Sequence, residues 1–255
     1  MNRRREFSTL SSYLQSNIPI FVPSFNNPTY LRNMLSQLMR RGLANIVVID
    51  NASSFQPMLD YLKSISGDVT VIFQNENRGP RDLFLDVSLF DSLPDIFCLT
   101  DPDLALNENL PDDFLVQLLK VTHDYRIFKA GFAIDRSTLL EPGVRVDDPA
   151  HFHQWEEQFW QAKVGVTPGD DDIYRANIDT TFALYNKRYL DIRRRDNLFR
   201  RLVGLSKPEK RRHLDSMRVA GRFTCKHLPW TSQDMVPDDE RNFYKSQQKW
   251  SHSLM

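Results

Sequence analysis

Residues 95–103 read Asp95-Ile-Phe-Cys-Leu-Thr-Asp-Pro-Asp103. A short apolar run ends in two carboxylates separated by a proline that fixes the backbone between them. The apolar part reads as a buried strand and the acidic end as the loop that follows it. Hard divalent cations such as Mn²⁺ or Mg²⁺ take oxygen ligands and keep positions open for phosphate oxygens. Asp101 and Asp103 are therefore candidate metal ligands, and Asp101 can also hold a metal-bound water or a ribose hydroxyl. An Asp-x-Asp triplet alone is weak, because surface turns are rich in Asp. Its place after a strand is what strengthens it.

Upstream, the pattern repeats. Ile18–Pro23, Asn45–Asp50 and Val69–Phe73 are short apolar runs bounded by polar or turn residues. Between them, Leu31, Met34, Leu35, Leu38 and Met39 recur at helical spacing, with Thr29 as N-cap and Gly42 as stop. Residues 55–64 and 81–90 read as further helices. Continuous apolar strands alternating with helices predict a parallel sheet buried on both faces. Right-handed crossovers then place every strand's C-terminal end on one edge, where ligands of open α/β sheets bind. The polar residues that follow the strands gather there: Ser24, Asn26, Asp50, Asn51, Asn77, Arg78, Asp101 and Asp103.

Each has a functional and a plain structural use. Asp50 can accept from a base or ribose, or form an Asx turn ahead of the next helix. Residues 24–27 can contact a nucleobase or merely turn the chain. Arg78 and Arg81 can neutralise a diphosphate or lie solvated in a turn, with Gly79 allowing close backbone approach.

The second half is less regular. Helices are expected over 115–121 and 151–160, and strands over 126–134, 178–185 and 218–227. His227 ends the last strand and is a candidate third metal ligand, since neutral imidazole suits Mn²⁺. Trp155, Phe159 and Trp160, with His151 and His153, can stack on a sugar or pack as core. Trp230 can floor the donor pocket or pack.

Together, the segments Val-Pro-Ser-Phe-Asn, Val-Val-Ile-Asp-Asn-Ala-Ser, Asn-Glu-Asn-Arg-Gly-Pro and Thr-Asp-Pro-Asp resemble the nucleotide-sugar half of a GT-A glycosyltransferase. They are most similar to the bacterial family 2 type. The likeness is clear over residues 18–135 and thinner beyond. It implies a Rossmann-like, mostly parallel sheet flanked by helices, in one domain with a C-terminal acceptor-side subregion. It also implies a metal-dependent transfer from a nucleotide sugar, UDP-linked, to a glycan or lipid-linked acceptor in bacterial surface polysaccharide or lipopolysaccharide assembly. Donor contacts carry over to Pro23, Ser24, Asp50, Asn77, Arg78, Arg81 and Asp101. A Mn²⁺ or Mg²⁺ ion falls to Asp101, Asp103 and His227. The Glu-Asp pair that supplies the base in many inverting members is missing. Asp179 is the best substitute, with Asp170, Asp171 and Asp172 as alternatives. Inverting transfer is favoured, and a front-face retaining route stays open.

The organisation expected is an extension over 1–17, a nucleotide-sugar half over 18–135, an acceptor-side half over 136–235 and a tail over 236–255. The 255 residues carry 33 basic and 33 acidic side chains, so net charge is zero and a uniformly basic nucleic-acid binder is excluded. The charge is patterned, however. Residues 101–113 hold five acids and no base, and 193–212 hold nine bases against Asp196 and Glu209. Arg193–Arg212 can lie on anionic lipid or be a solvated helix face. RNA binding is disfavoured there, since the chain's aromatic residues, Phe199 apart, are not grouped with these arginines. No apolar run reaches the ~18 residues a membrane span needs. The basic N-terminus lacks the apolar core of a secretory signal. Cys98 and Cys225 make neither a disulfide framework nor a zinc cluster. A cytoplasmic enzyme, peripheral at the inner face of the membrane if the basic segment docks, is expected. A sugar nucleotidyltransferase is disfavoured because residues 24–28 lack its Gly-rich basic loop. A non-catalytic nucleotide-sugar or glycan-binding module is the other alternative.

Overall fold

The computed structural model describes residues 2–80, 82–84, 87–137, 149–178, 180–190, 216–231 and 233–247. Ten strands form one sheet: β1 Ile20–Ser24, β2 Ile46–Asp50, β3 Thr70–Phe73, β4 Ile96–Leu99, β5 Leu104–Leu106, β6 Lys129–Ile134, β7 Lys163–Val166, β8 Asp172–Arg175, β9 Ala183–Asn186 and β10 Ser216–His227. The order is β3-β2-β1-β4-β9-β6-β10-β8-β7, with β5 paired to β10 off this path. The described helices are α1 Asn2–Asn17, α2 Pro28–Arg40, α3 Gln56–Ile65, α4 Val87–Ser92, α5 Phe114–Tyr125, α6 Pro149–Glu157, α7 Leu228–Thr231 and α8 Asp238–Gln247.

The first four strands are parallel, as the alternation predicts. Successive side chains point to opposite faces, so each strand feeds two cores. Ile20 and Val22 of β1 join one, with Val48 of β2, Cys98 of β4 and Phe132 of β6. Phe21, Val47, Phe97 and Tyr185 join the other. Phe97 and Tyr185 stack with ring centroids 4.9 Å apart. Beyond β4 the sheet is mixed, because β9 enters antiparallel between β4 and β6.

Three expectations are corrected. The third strand is not buried: β3 is a sheet edge, with Ile72 and Phe73 exposed. A strand with one neighbour has one side open to solvent. Thr29 is not the cap of α2 either. The helix starts one residue earlier at Pro28, whose missing N–H costs nothing in a first turn. Thr29 instead donates its hydroxyl to Glu240 Oε2 at 2.6 Å, which ties α8 to the start of α2. The strand expected over 178–185 begins only at Ala183.

β5 and β10 together build the far side of the site. β5 directly follows Asp103 and pairs antiparallel with the end of β10, setting His227 opposite Leu104. Gln37 of α2 grips β5 from below, donating to Leu104 O at 2.9 Å and accepting from Leu106 N–H at 2.7 Å. An irregularity between Val219 and Thr224 lets β10 run past β6. Gly221 sits there at φ 64°, and a Cβ on it would come 2.6 Å from Asp171 Oδ1.

Candidate active site

Ser24 and Asp50 end neighbouring parallel strands in register. Both are 2% exposed, so these polar ends are buried in the fold. Asp50 Oδ2 accepts from Ser53 N–H at 3.1 Å, three residues on, which turns the chain after β2 without capping α3. Asp50 Oδ1 has no hydrogen-bond partner among the described residues, and neither do Ser24 Oγ, Asn26 Nδ2, Asn27 Oδ1 and Asn51 Oδ1. Buried polar atoms without partners are rare in folded proteins, and a cluster of them fits a polar ligand that satisfies them. Burial pushes the Asp50 carboxyl up from its ordinary value, against the pull of its bonds to Ser53.

Asn26, with φ 53°, is fully buried and accepts from Ser54 N–H and Phe55 N–H at 2.8 and 2.9 Å. It thereby holds the turn ahead of α3 from the loop after β1, a cross-strand role invisible in local spacing. Asn77 and Arg78 lie exposed beyond β3. There Asn77 Oδ1 accepts from Gly79 N–H at 3.0 Å, and Arg78 pairs with Glu76 at 3.6 Å.

On the other side of β1, His227 Nε2 lies 3.5 Å from Asp103 Oδ2. Leu228 N–H donates to Asp103 O at 2.8 Å and holds the two chain segments together. Asp103 Oδ1 and His227 Nδ1 are buried and unpartnered among the described residues. A carboxylate and an imidazole with free lone pairs fit a hard-to-borderline divalent ion that takes phosphate oxygens and water at its other positions. No group of three or more metal-binding side chains meets at one point among the described residues. Asp101 stands apart from that pair: its Oδ2 accepts from the Thr180 hydroxyl, and its N–H donates to Thr180 O at 2.9 Å.

Trp230 packs on His227, with centroids 4.3 Å apart, and on Phe152 at 4.8 Å. Its ring orients the imidazole rather than offering an open floor. Tyr30 of α2 has its phenol pKa raised, first by burial and then by the charges of Asp103 and Glu240. Of the other aromatics, Phe159 lies over the Arg218 guanidinium at 4.2 Å and Trp160 packs on Tyr174 at 5.4 Å. Trp155 is 45% exposed. Asp171 is no base: it is buried and bound to Arg222 Nη2 at 2.7 Å. Asp172 pairs with Lys163 at 2.7 Å. Arg81, Asp179 and the basic segment 193–212 lie outside the described residues, as does the side chain of His151.

Residues 20–110 match the model of glycosyl transferase family 2. Over that stretch the chain is similar to family 2 glycosyltransferases. The matched stretch runs from β1 through Asp103 and β5, so it contains every strand end of the first half. No curated protein matches the chain. Among solved structures, GalNAc-T7 with UDP, GalNAc and Mn²⁺ shares 14% identity over 82% of this chain and 43% of that one, with a TM-score of 0.45. Residues 1–349 of S. aureus TarS share 16% over 67% and 47%, with a TM-score of 0.41. HddC from Yersinia pseudotuberculosis shares 7% over 91% and 100%, with a TM-score of 0.43. The chain spans less than half the length of the first three structures it matches. At these identities and scores none of the likenesses decides an activity. Among the described residues, no helix is long and apolar enough to cross a membrane.

Proposed function

We propose that the chain is a metal-dependent glycosyltransferase that moves a sugar from a UDP-linked donor to a glycan or lipid-linked acceptor. The observation that carries this reading is the approach of His227 to Asp103, 3.5 Å apart with one further atom of each buried and unpartnered. The unpartnered cluster at Ser24, Asn26, Asn27, Asp50 and Asn51 supports a polar nucleoside in the adjacent crevice.

In this mechanism Asp50 and Asn51 accept from the base and ribose, and Ser24 adds a hydroxyl beside them. Asp103 and His227 would hold Mn²⁺ or Mg²⁺. The ion supplies Lewis-acid stabilisation of the leaving diphosphate when bound. Arg78 and Arg81 add positive charge at the loop that follows β3, and such preorganised charge is commonly a dominant catalytic term. Asp179, placed by sequence between Ile178 and Thr180, takes the proton from the acceptor hydroxyl. Attack on the opposite face of the anomeric carbon then inverts its configuration. The segment Arg193–Arg212 is assigned, on its sequence alone, to an anionic lipid surface carrying the acceptor. Such an acceptor fits assembly of a bacterial surface polysaccharide at the inner face of the membrane.

The test is release of free nucleotide from a panel of nucleotide sugars, with and without Mn²⁺. Mn²⁺-dependent release from UDP-sugars, lost in Asp103→Ala, is expected. Full activity of Asp103→Ala, or no turnover of any donor, would sink the proposal.

A further inference from the structure

Residues 176–182 connect β8 to β9, and Thr180 within them meets Asp101 at two points. Its hydroxyl donates to Asp101 Oδ2, and its carbonyl accepts Asp101 N–H at 2.9 Å. Two buried cations reach main-chain carbonyls just ahead of it. Lys129, 5% exposed, donates Nζ–H to Ile178 O at 2.8 Å. Arg218, 3% exposed, donates Nε–H to Asn177 O. The Arg218 Nη1 also sits 2.6 Å from Glu156 Oε2 of α6, and both side chains of that pair are buried.

These cations occupy strand positions where apolar residues would serve the core. Arg218 lies between Met217 and Val219, and Lys129 precedes Ala130, all three of these neighbours being buried. Burying an ammonium or guanidinium costs free energy that a hydrophobic side chain avoids, so buried ion pairs are weak evidence for stability. What the two cations achieve here is placement. Each bonds a main-chain carbonyl in the stretch between β8 and β9. Other bonds close the loop's ends: Ser216 Oγ–H donates to Ala176 O at 2.7 Å, and Thr181 Oγ1–H to Phe132 O at 3.2 Å. Gly131 lets the loop's far end press close, since a Cβ there would lie 2.5 Å from Phe182 O.

We infer that Lys129 and Arg218 are positioning residues that, by holding the carbonyls of Ile178 and Asn177, keep Thr180 against Asp101. Through Glu156, and through Phe159 over the same guanidinium, the clamp also joins α6 to the carboxylate end of β4. The inference rests on the reading of Asp101 as a site carboxylate.

The test compares Thr180→Val, Thr180→Ser, Lys129→Met and Arg218→Lys with the wild-type chain. Thr180→Val keeps shape and removes one donor, so its circular dichroism is expected unchanged. It should lower kcat at least tenfold with donor KM moving less than threefold. Mn²⁺ affinity, titrated on the protein without donor, should weaken three- to tenfold, and amide exchange at 180–182 should quicken. Thr180→Ser should restore all of these, and Lys129→Met and Arg218→Lys should follow Thr180→Val wherever they fold. Wild-type kcat and amide exchange in Thr180→Val would overturn the inference. A wild-type chain that binds no Mn²⁺ would overturn the metal reading instead, and kcat with amide exchange would then judge the clamp by themselves.

Discussion

His227 Nε2 stands 3.5 Å from Asp103 Oδ2, although the two residues come from opposite halves of the chain. Antiparallel pairing of β5 with the end of β10 makes the contact, because Asp103 leads directly into β5 and His227 closes β10. If the pair holds the metal, Asp103→Ala and His227→Ala should each lower kcat on the order of 100-fold, as loss of a metal-site interaction does. Each should also weaken Mn²⁺ binding by the isolated protein. Titration of Mn²⁺ together with steady-state rates checks this, and wild-type affinity in both variants would refute it.

Gln37 supports that contact from α2. Its amide satisfies Leu104 O and Leu106 N–H on the edge of β5 that faces the helix. Gln37→Leu leaves Leu106 N–H unpaired and Leu104 O with only the long bond from Asn33 at 3.5 Å, at a cost of about 1–3 kcal/mol. Denaturant unfolding should show a loss in that range. Because β5 adjoins Asp103, Mn²⁺ affinity should fall in the same variant. A loss of stability with unchanged affinity would confine Gln37 to packing.

Asp50 is held in a place that disfavours its charge. Its folded pKa is raised, so the protonated form is favoured in the fold. Asp50 therefore contributes its full share of stability below the ordinary carboxylate value, and that contribution is lost as pH rises through the folded value. Asp50→Asn should remove this fall and raise unfolding free energy at neutral pH by up to ~1 kcal/mol, as stabilising changes at functional sites often do. UDP affinity should drop in the same variant. Unfolding curves at acid and neutral pH, with a UDP titration, measure both. A less stable variant that binds UDP normally would contradict the assignment.

Asp171 has the opposite sign. Burial raises its carboxyl pKa, but hydrogen bonds and charge from Arg222 outweigh that and leave it below the ordinary value. Its contribution is full above the unfolded carboxylate value and is lost as pH falls through the lower folded one. Arg222→Gln should flatten the acid limb of the stability curve while leaving UDP binding unchanged. An acid limb as steep as the wild type's would show that other carboxylates govern acid unfolding.

How much of this was legible in the sequence depended on range. The apolar runs of β1, β2 and β4 declared themselves because both of their faces are buried. The polar residues after them fell on one edge because parallel strands share a direction. β3 was found but misjudged, since an apolar run does not say whether a second neighbour will pair with it. β5 is three residues long and carries no period to detect, yet it aligns the candidate metal pair. Thr180, Lys129, Gln37 and Phe152 had no local signal, because each matters through a partner distant in sequence.

Local pattern by itself therefore determined the parallel half of the sheet, the edge where the site lies, and Asp50, Asp103 and His227 as its candidates. Only the tertiary structure decided that His227 faces Asp103, that Asp101 turns to Thr180, and that Asp171 belongs to Arg222 rather than to chemistry. The reason is physical. Strand and helix periods arise from neighbouring residues along one chain segment. The pairing of β10 with β5, and the cost of burying Lys129 and Arg218, are set by which segments meet in space.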